Sequence, residues 1–132
     1  YRNSKKKINN RGFLQAQRLG NYLKKKKIKI KYIFSSQYCN ASQTAFILKS
    51  KLKTKVKIND FFDELKVKDI NKNYEYISDF KKYIQNNKTS ESNIIFITHH
   101  SNIQKVFNVN LSWGQILLLN YKLENIKIID FR

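Results

Sequence analysis

Two short apolar runs constrain the fold more than anything else in the sequence. Residues 31–35 (KYIFS) and 93–98 (NIIFIT) each stop on polar side chains and lead directly into helical spacing. Brief apolar runs of this kind, alternating with helices, are what a parallel sheet buried on both faces requires. The other elements fit around them. Phe13, Leu14, Ala16, Leu19, Tyr22 and Leu23 recur at helical spacing, with Gly12 just ahead and a lysine block from Lys24 suited to a helix C-terminus. Ala41, Ala45, Leu48 and Leu52 predict a helix over 40–51, and Val56 and Ile58 alternate with lysines as a strand does. Tyr74, Ile77, Phe80, Tyr83 and Ile84 form an amphipathic helical stripe. A short helix is expected from near Ser101. Residues 115–121 and 126–131 read as a closing pair of strands with a turn near Glu124 and Asn125.

The order predicts an α/β fold: three layers, a mainly parallel central sheet and helices on both faces. At 132 residues the chain suffices for one domain, 1–132, and not for two. Such folds usually open with a strand, whereas this pattern opens with a helix. The first residue is Tyr1 and the sequence contains no methionine. The expectation is a piece of a longer protein, the C-terminal majority of its domain, with the first strand missing.

The formal charge of +18 invites a nucleic-acid reading. Lysine is abundant alongside Asn, Ile, Tyr and Phe, with three Gly and no Pro, a set that an AT-rich coding sequence favours. The lysines are dispersed, only Lys24–Lys27 forming a dense block, and no aromatic platform interleaves with them. A solvated basic surface is the preferred reading, and a basic nucleic-acid-binding module rests on charge alone. No run is long enough to span a bilayer, so no membrane partner is expected. One cysteine, Cys39, cannot form an internal disulfide or a cysteine-based zinc site, and a reducing cytoplasmic location is the default.

In open α/β sheets ligands lie beyond the carboxyl ends of the strands. Two such ends stand out, Phe34-Ser35-Ser36 and Ile97-Thr98-His99-His100, and each runs into a predicted helix whose first N–H groups suit phosphate. Three stretches then resemble the histidine phosphatase (phosphoglycerate-mutase-like) superfamily. Ile8 to Ala16, with Gly12 and Gln15-Ala16, is similar to the family's Leu-x3-Gly-x2-Gln-Ala segment. Ser35-Ser36, with Gln43-Thr44-Ala45 downstream, resembles Ser-Ser-x3-Arg-x2-Gln-Thr-Ala, and Tyr38-Cys39 is typical of a small bacterial branch. Ile95 to Ile103, containing Thr98-His99 and Asn102-Ile103, resembles that branch's strand and Thr-His motif. Asp60-Phe61-Phe62-Asp63 and Ser112-Trp113-Gly114-Gln115 add supporting likeness.

The resemblance implies phosphomonoester hydrolysis through a phosphohistidine. A histidine after the first strand, in an Arg-His-Gly or Arg-His-Ala motif, attacks phosphorus. A second histidine and two arginines hold the phosphoryl oxygens, and a carboxylic acid protonates the leaving group. Residue by residue, His99 matches the second histidine and is the catalytic candidate. Ser36, Asn40 and His99 are the candidate phosphate contacts, although Asn40 stands where the family has arginine and brings no charge. Asp63 and Glu64 are alternative proton donors, and His100 reads as a surface residue. The nucleophile motif has no counterpart in 1–132, so the chain by itself is expected to be inactive. Its strand is expected between 31–35 and 93–98, leaving a gap that would favour aggregation. No cofactor or metal is implied. The partner is a small phosphorylated substrate; a non-catalytic phosphate-binding relative with a regulatory role is the alternative, favoured by Asn40.

Overall fold

A computed structural model describes residues 7–65 and 70–131. Its core is a parallel three-stranded sheet in the order β2-β1-β3, formed by β1 (Ile30–Ser35), β2 (Lys55–Ile58) and β3 (Asn93–Ile97). The connecting helices are α1 (Asn10–Lys25), α2 (Cys39–Lys51), α3 (Ile70–Asn86) and α4 (His100–Phe107). Two further strands, β4 (Gln115–Leu119) and β5 (Asn125–Asp130), form a separate antiparallel pair.

Strand alternation sorts the core into two layers. Ile33, Ile95 and Ile97 point to one face, where Leu23 of α1 and Ala45 and Leu48 of α2 cover them. Phe34, Ile94 and Phe96 point to the other, against Phe80 and Ile84 of α3 and Val106 of α4. β1 carries one extra residue between its pairings at Ile30 and Tyr32, which lets Ile30 join the first layer although Ile33 lies three residues on. Gly20 sets how closely α1 meets α2: a Cβ there would sit 2.9 Å from Lys51 Cγ. The start of α1 is fixed by Asn9, whose side chain accepts the Gly12 N–H at 2.8 Å, and by the Ile8 N–H on Gln43 Oε1 at 2.7 Å.

The second layer is largely aromatic. Phe34 stacks on Phe96 (ring centroids 5.2 Å, planes 12° apart), and Phe62 meets Phe34, Phe80, Tyr83 and Phe96. Phe62 belongs to a single 3-10 turn, Asp60–Phe62, that the sequence periodicity does not reveal. Asn59 caps this turn by accepting the Phe61 N–H at 2.9 Å.

The elements follow the sequence-based expectation within a few residues, and the three-layer α/β architecture is as expected. The expected gap between β1 and β3 is not there. Ile33 pairs with Ile95, Phe34 with Phe96 and Ser35 with Ile97 in direct parallel register. The strands can close on each other because Ile33 and Phe34 match Ile95 and Phe96 in both face and size. Among the described residues β2 and β3 each have a strand partner on one side only, so the sheet is open at both edges, beyond β2 and beyond β3.

Phe62 is fully buried and anchors the segment that carries Asp63. Phe62→Ala is expected to lower unfolding free energy by about 3–5 kcal/mol. Chemical denaturation followed by circular dichroism measures it, and a loss below about 1 kcal/mol would mean that the aromatic layer is not packed as described.

Candidate functional site

The parallel register of β1 and β3 places their carboxyl ends side by side. Beyond the last strand pair, the Ser36 N–H donates to Ile97 O at 3.0 Å, and the Asn59 N–H donates to Ser35 O at 2.9 Å. Three loops are thereby stitched together: residues 36–38 entering α2, residues 59–65 after β2, and Thr98-His99 entering α4. Ser36 Oγ and His99 Nε2 are 2.9 Å apart, and Ser36 Oγ also lies 2.6 Å from Asp63 Oδ1.

Asn102 locks the third loop to the second. It is completely buried. Its Nδ2 donates to Asp63 O at 2.8 Å and Thr98 Oγ1 at 2.9 Å, while its Oδ1 accepts the Leu65 N–H at 3.0 Å. Thr98 Oγ1 in turn donates to Phe62 O at 2.7 Å. Tyr76 adds a hydroxyl bond to Phe61 O at 2.9 Å, and burial raises its pKa above the ordinary phenol value, which keeps it a neutral donor. A buried amide with its oxygen and both protons engaged is a rigid joint.

Over this joint lies a pocket of about 240 Å³ lined by Tyr38, Asn40, Glu64, His99, His100, Ser101 and Trp113. It sits where α2 and α4 begin. Neither helix has a side-chain hydrogen bond from its N-cap, Tyr38 or His99. Two helix N-termini thus bring partial positive charge and N–H groups to one pocket, a setting for an anion. Asn40 caps locally, its Oδ1 accepting the Ala41 N–H at 2.9 Å, which leaves its Nδ2 as the donor to offer. The Tyr38 ring packs 4.8 Å from the His99 ring and holds its plane. Trp113 is 74% exposed, an unusual placement for a large indole that forms a pocket wall.

The sequence-predicted residues separate by placement. His99 and Asn40 line the pocket. Ser36 lies behind His99 at 0% exposure, its hydroxyl engaged with Asp63, His99 and the Tyr38 N–H, which gives it no direct reach to a phosphate. The two carboxylates also differ. Asp63 accepts from Ser36 Oγ, the Gln37 N–H and the Gln37 side-chain amide, whereas Glu64 is part of the pocket wall and accepts from Ser101 Oγ at 3.4 Å. His100, read from sequence as a surface residue, is exposed but lines the same pocket. Asn102 stood in a recognised motif without a role, and nothing in its spacing announced burial. Among the described residues no group of three His, Cys, Asp or Glu side chains comes together as a metal site, and no helix is long and apolar enough to cross a membrane.

Sequence comparison matches residues 3–96 to the Histidine phosphatase superfamily (branch 1). The chain belongs to the histidine phosphatase superfamily. A search of curated protein sequences finds no match. Among solved structures, the fold is similar to the putative phosphohistidine phosphatase SixA from Agrobacterium tumefaciens (TM-score 0.71, 12% identity, covering 98% of this chain and 86% of that one). It is likewise similar to the protein histidine phosphatase SixA complexed with tungstate (0.72, 11%, 98% and 86%). A phosphoglycerate mutase from Plasmodium falciparum is more distant (0.53, 19%, 76% and 67%).

Burial lowers the His99 pKa below its ordinary 6.5, the nearby Glu64 and Asp63 charges opposing the shift. The folded state then binds fewer protons at His99 than the unfolded chain does. Its contribution to stability is complete above pH 6.5 and is lost as pH falls below that value towards the folded pKa. Denaturant midpoints measured across this range should rise with pH in the wild type, and His99→Gln should flatten that step. An unchanged slope in the variant would show that His99 is not buried as described.

Proposed function

We propose that this chain is the phosphate-gripping part of a histidine phosphatase, acting on phosphomonoesters through a phosphohistidine whose nucleophile is supplied from outside residues 1–132. One observation carries the reading: His99 stands at the carboxyl end of β3, braced from behind, between two helix N-termini. Superfamily membership supports phosphatase-type chemistry. In such a reaction a histidine nitrogen forms a bond to phosphorus, the bond to the leaving oxygen breaks, and water later takes the phosphoryl group from the enzyme. His99 and the first-turn N–H groups of α2 and α4 hold the oxygens, with Asn40 Nδ2 as a further donor. Glu64 is the proton donor in this reading, because it faces the pocket while Asp63 already accepts hydrogen bonds at both carboxylate oxygens. A strand running parallel along the open edge of β3 would end beside His99, where a nucleophile is needed. At about 240 Å³ the pocket has room for a phosphoryl group and for part of the group that carries it. One structural neighbour is named a phosphohistidine phosphatase and another a protein histidine phosphatase, which makes a phosphorylated histidine side chain a substrate to set beside small phosphomonoesters.

The test compares 1–132 with the parent protein on a panel of phosphomonoesters and a phosphohistidine peptide. The parent should turn over, 1–132 should not, and Glu64→Gln in the parent should lose about 100-fold or more with leaving groups that need a proton. Turnover by 1–132 that disappears in His99→Ala would overturn the assignment of the nucleophile.

Asn40 favours a second reading, a relative that binds phosphate without catalysis, since an amide lacks the charge and the fork of a guanidinium. If Asn40 occupies the arginine position, Asn40→Arg should tighten phosphate or vanadate binding by about 1.5–3 kcal/mol, the scale of a hydrogen bond to a charged group. Calorimetry showing equal or weaker binding would remove Asn40 from the phosphate site.

A further inference from the structure

The single proton of the Ser36 hydroxyl decides the protonation of a ring. Ser36 Oγ has three neighbours: Asp63 Oδ1 at 2.6 Å, the Tyr38 amide nitrogen at 3.1 Å and His99 Nε2 at 2.9 Å. The amide can only donate. Asp63 Oδ1 also receives the Gln37 N–H at 2.9 Å, and Oδ2 receives the Gln37 side-chain amide. Ser36 Oγ donates to Asp63 Oδ1, and 2.6 Å is the length of a hydroxyl bonded to a carboxylate. The hydroxyl proton therefore points at Asp63, and Oγ can meet His99 only as an acceptor.

We propose that Ser36, anchored by Asp63, is a positioning residue that holds neutral His99 as its Nε2–H tautomer and leaves Nδ1 as the nitrogen that meets a ligand in the pocket. Geometry favours this from both sides. Nε2 faces a fully buried hydroxyl, and the Tyr38 ring packed on the imidazole resists a flip that would exchange the nitrogens. Asn102 holds the Asp63 carbonyl, so the anchor is itself fixed.

The consequence for ligand binding rests on the phosphatase reading. Nδ1 of the neutral ring presents a lone pair, and a phosphoryl oxygen presents another, so the two do not bond. An unprotonated phosphoryl oxygen therefore bonds to Nδ1 only once the ring has taken up one proton, from solvent or from the phosphate itself. The imidazolium then keeps its Nε2–H on Ser36 and turns its Nδ1–H to the phosphoryl oxygen. Burial already favours the neutral ring in the free protein, so capture of the anion is coupled to proton uptake. The groups that face His99 and bias this step are Asp63 and Glu64 from the 59–65 loop, Tyr38 at the start of α2, and His100 on α4 itself.

Nitrogen-resolved NMR of the two histidine rings in the 132-residue chain tests the proposal. At a pH where His99 is neutral, its ring proton should be found on Nε2 and be slow enough in exchange to observe. Ser36→Ala should abolish that signal while the backbone spectrum stays folded, and Ser36→Thr should restore it. A wild-type proton on Nδ1, or a His99 ring unchanged in Ser36→Ala, overturns the proposal. If Ser36→Ala does not fold, the wild-type tautomer alone decides. Saturating inorganic phosphate should then convert His99 to the doubly protonated pattern at the same pH. The Nε2–H tautomer with no response to phosphate keeps Ser36 as a positioning residue and removes the phosphatase reading.

Discussion

The pairing of β1 with β3 is the constraint on which the rest of the site depends. Ser35 opposite Ile97 fixes where both strands stop, and the bond from the Ser36 N–H to Ile97 O carries the ladder one step into the loops. Shift that register by one residue and every side chain changes face. Ile33 and Phe34 would exchange layers, and the Ser36 hydroxyl would turn away from His99. The apolar content of the two strands is thus also the device that sets a 2.9 Å contact between a serine and a histidine 63 residues apart.

The aromatic layer acts on the same site from below. β2 is short and mostly exposed, so it contributes little to holding the loop that follows it. Phe62 supplies the hold instead, reaching across to Phe34, Phe80 and Phe96. With Phe62 seated, its carbonyl meets Thr98 and the next residue, Asp63, meets Ser36. Packing and polar connection are therefore coupled: the hydrophobic anchor and the carboxylate that orders the site are adjacent in sequence.

Much of this was legible in the sequence, for reasons of period. Strands and helices announce themselves by spacings of two and of three to four, and the strand-end polar groups mark the ligand edge. Thr98-His99 and Ser35-Ser36 were found that way. Strand neighbourhood was not legible, because period says which residues are buried and not which strand lies beside which. The expectation of a gap between β1 and β3 failed on that point. The Asp60–Phe62 turn is too short to show a period, and its importance lies in contacts with residues as far away in sequence as Phe80 and Thr98. Asp63 and Glu64 could not be told apart by spacing either. They are neighbours in sequence, and only the fold sends one carboxylate inward to Ser36 and the other to the pocket wall.

The same division bears on the proposed anion pocket, where Glu64 lines the wall and Asp63 lies behind it on Ser36. Asp63 is surrounded by donors, and its charge is met by three hydrogen bonds rather than projected into the pocket. That leaves Glu64 as the negative group on the wall, against the positive ends of α2 and α4. Lysines contribute less to this balance than the net charge of +18 suggests. The described residues that form the pocket walls are Tyr38, Asn40, Glu64, His99, His100, Ser101 and Trp113, with no lysine or arginine among them. Dispersed surface charge acts through solvent and is screened beyond roughly 10 Å at moderate salt. Among the described residues, local attraction for an anion therefore falls to helix-terminal N–H groups and, on the proposal above, to His99 taking up a proton. On that proposal the site draws positive charge at the moment of binding, which makes the brace behind His99 as important as the groups that face the ligand.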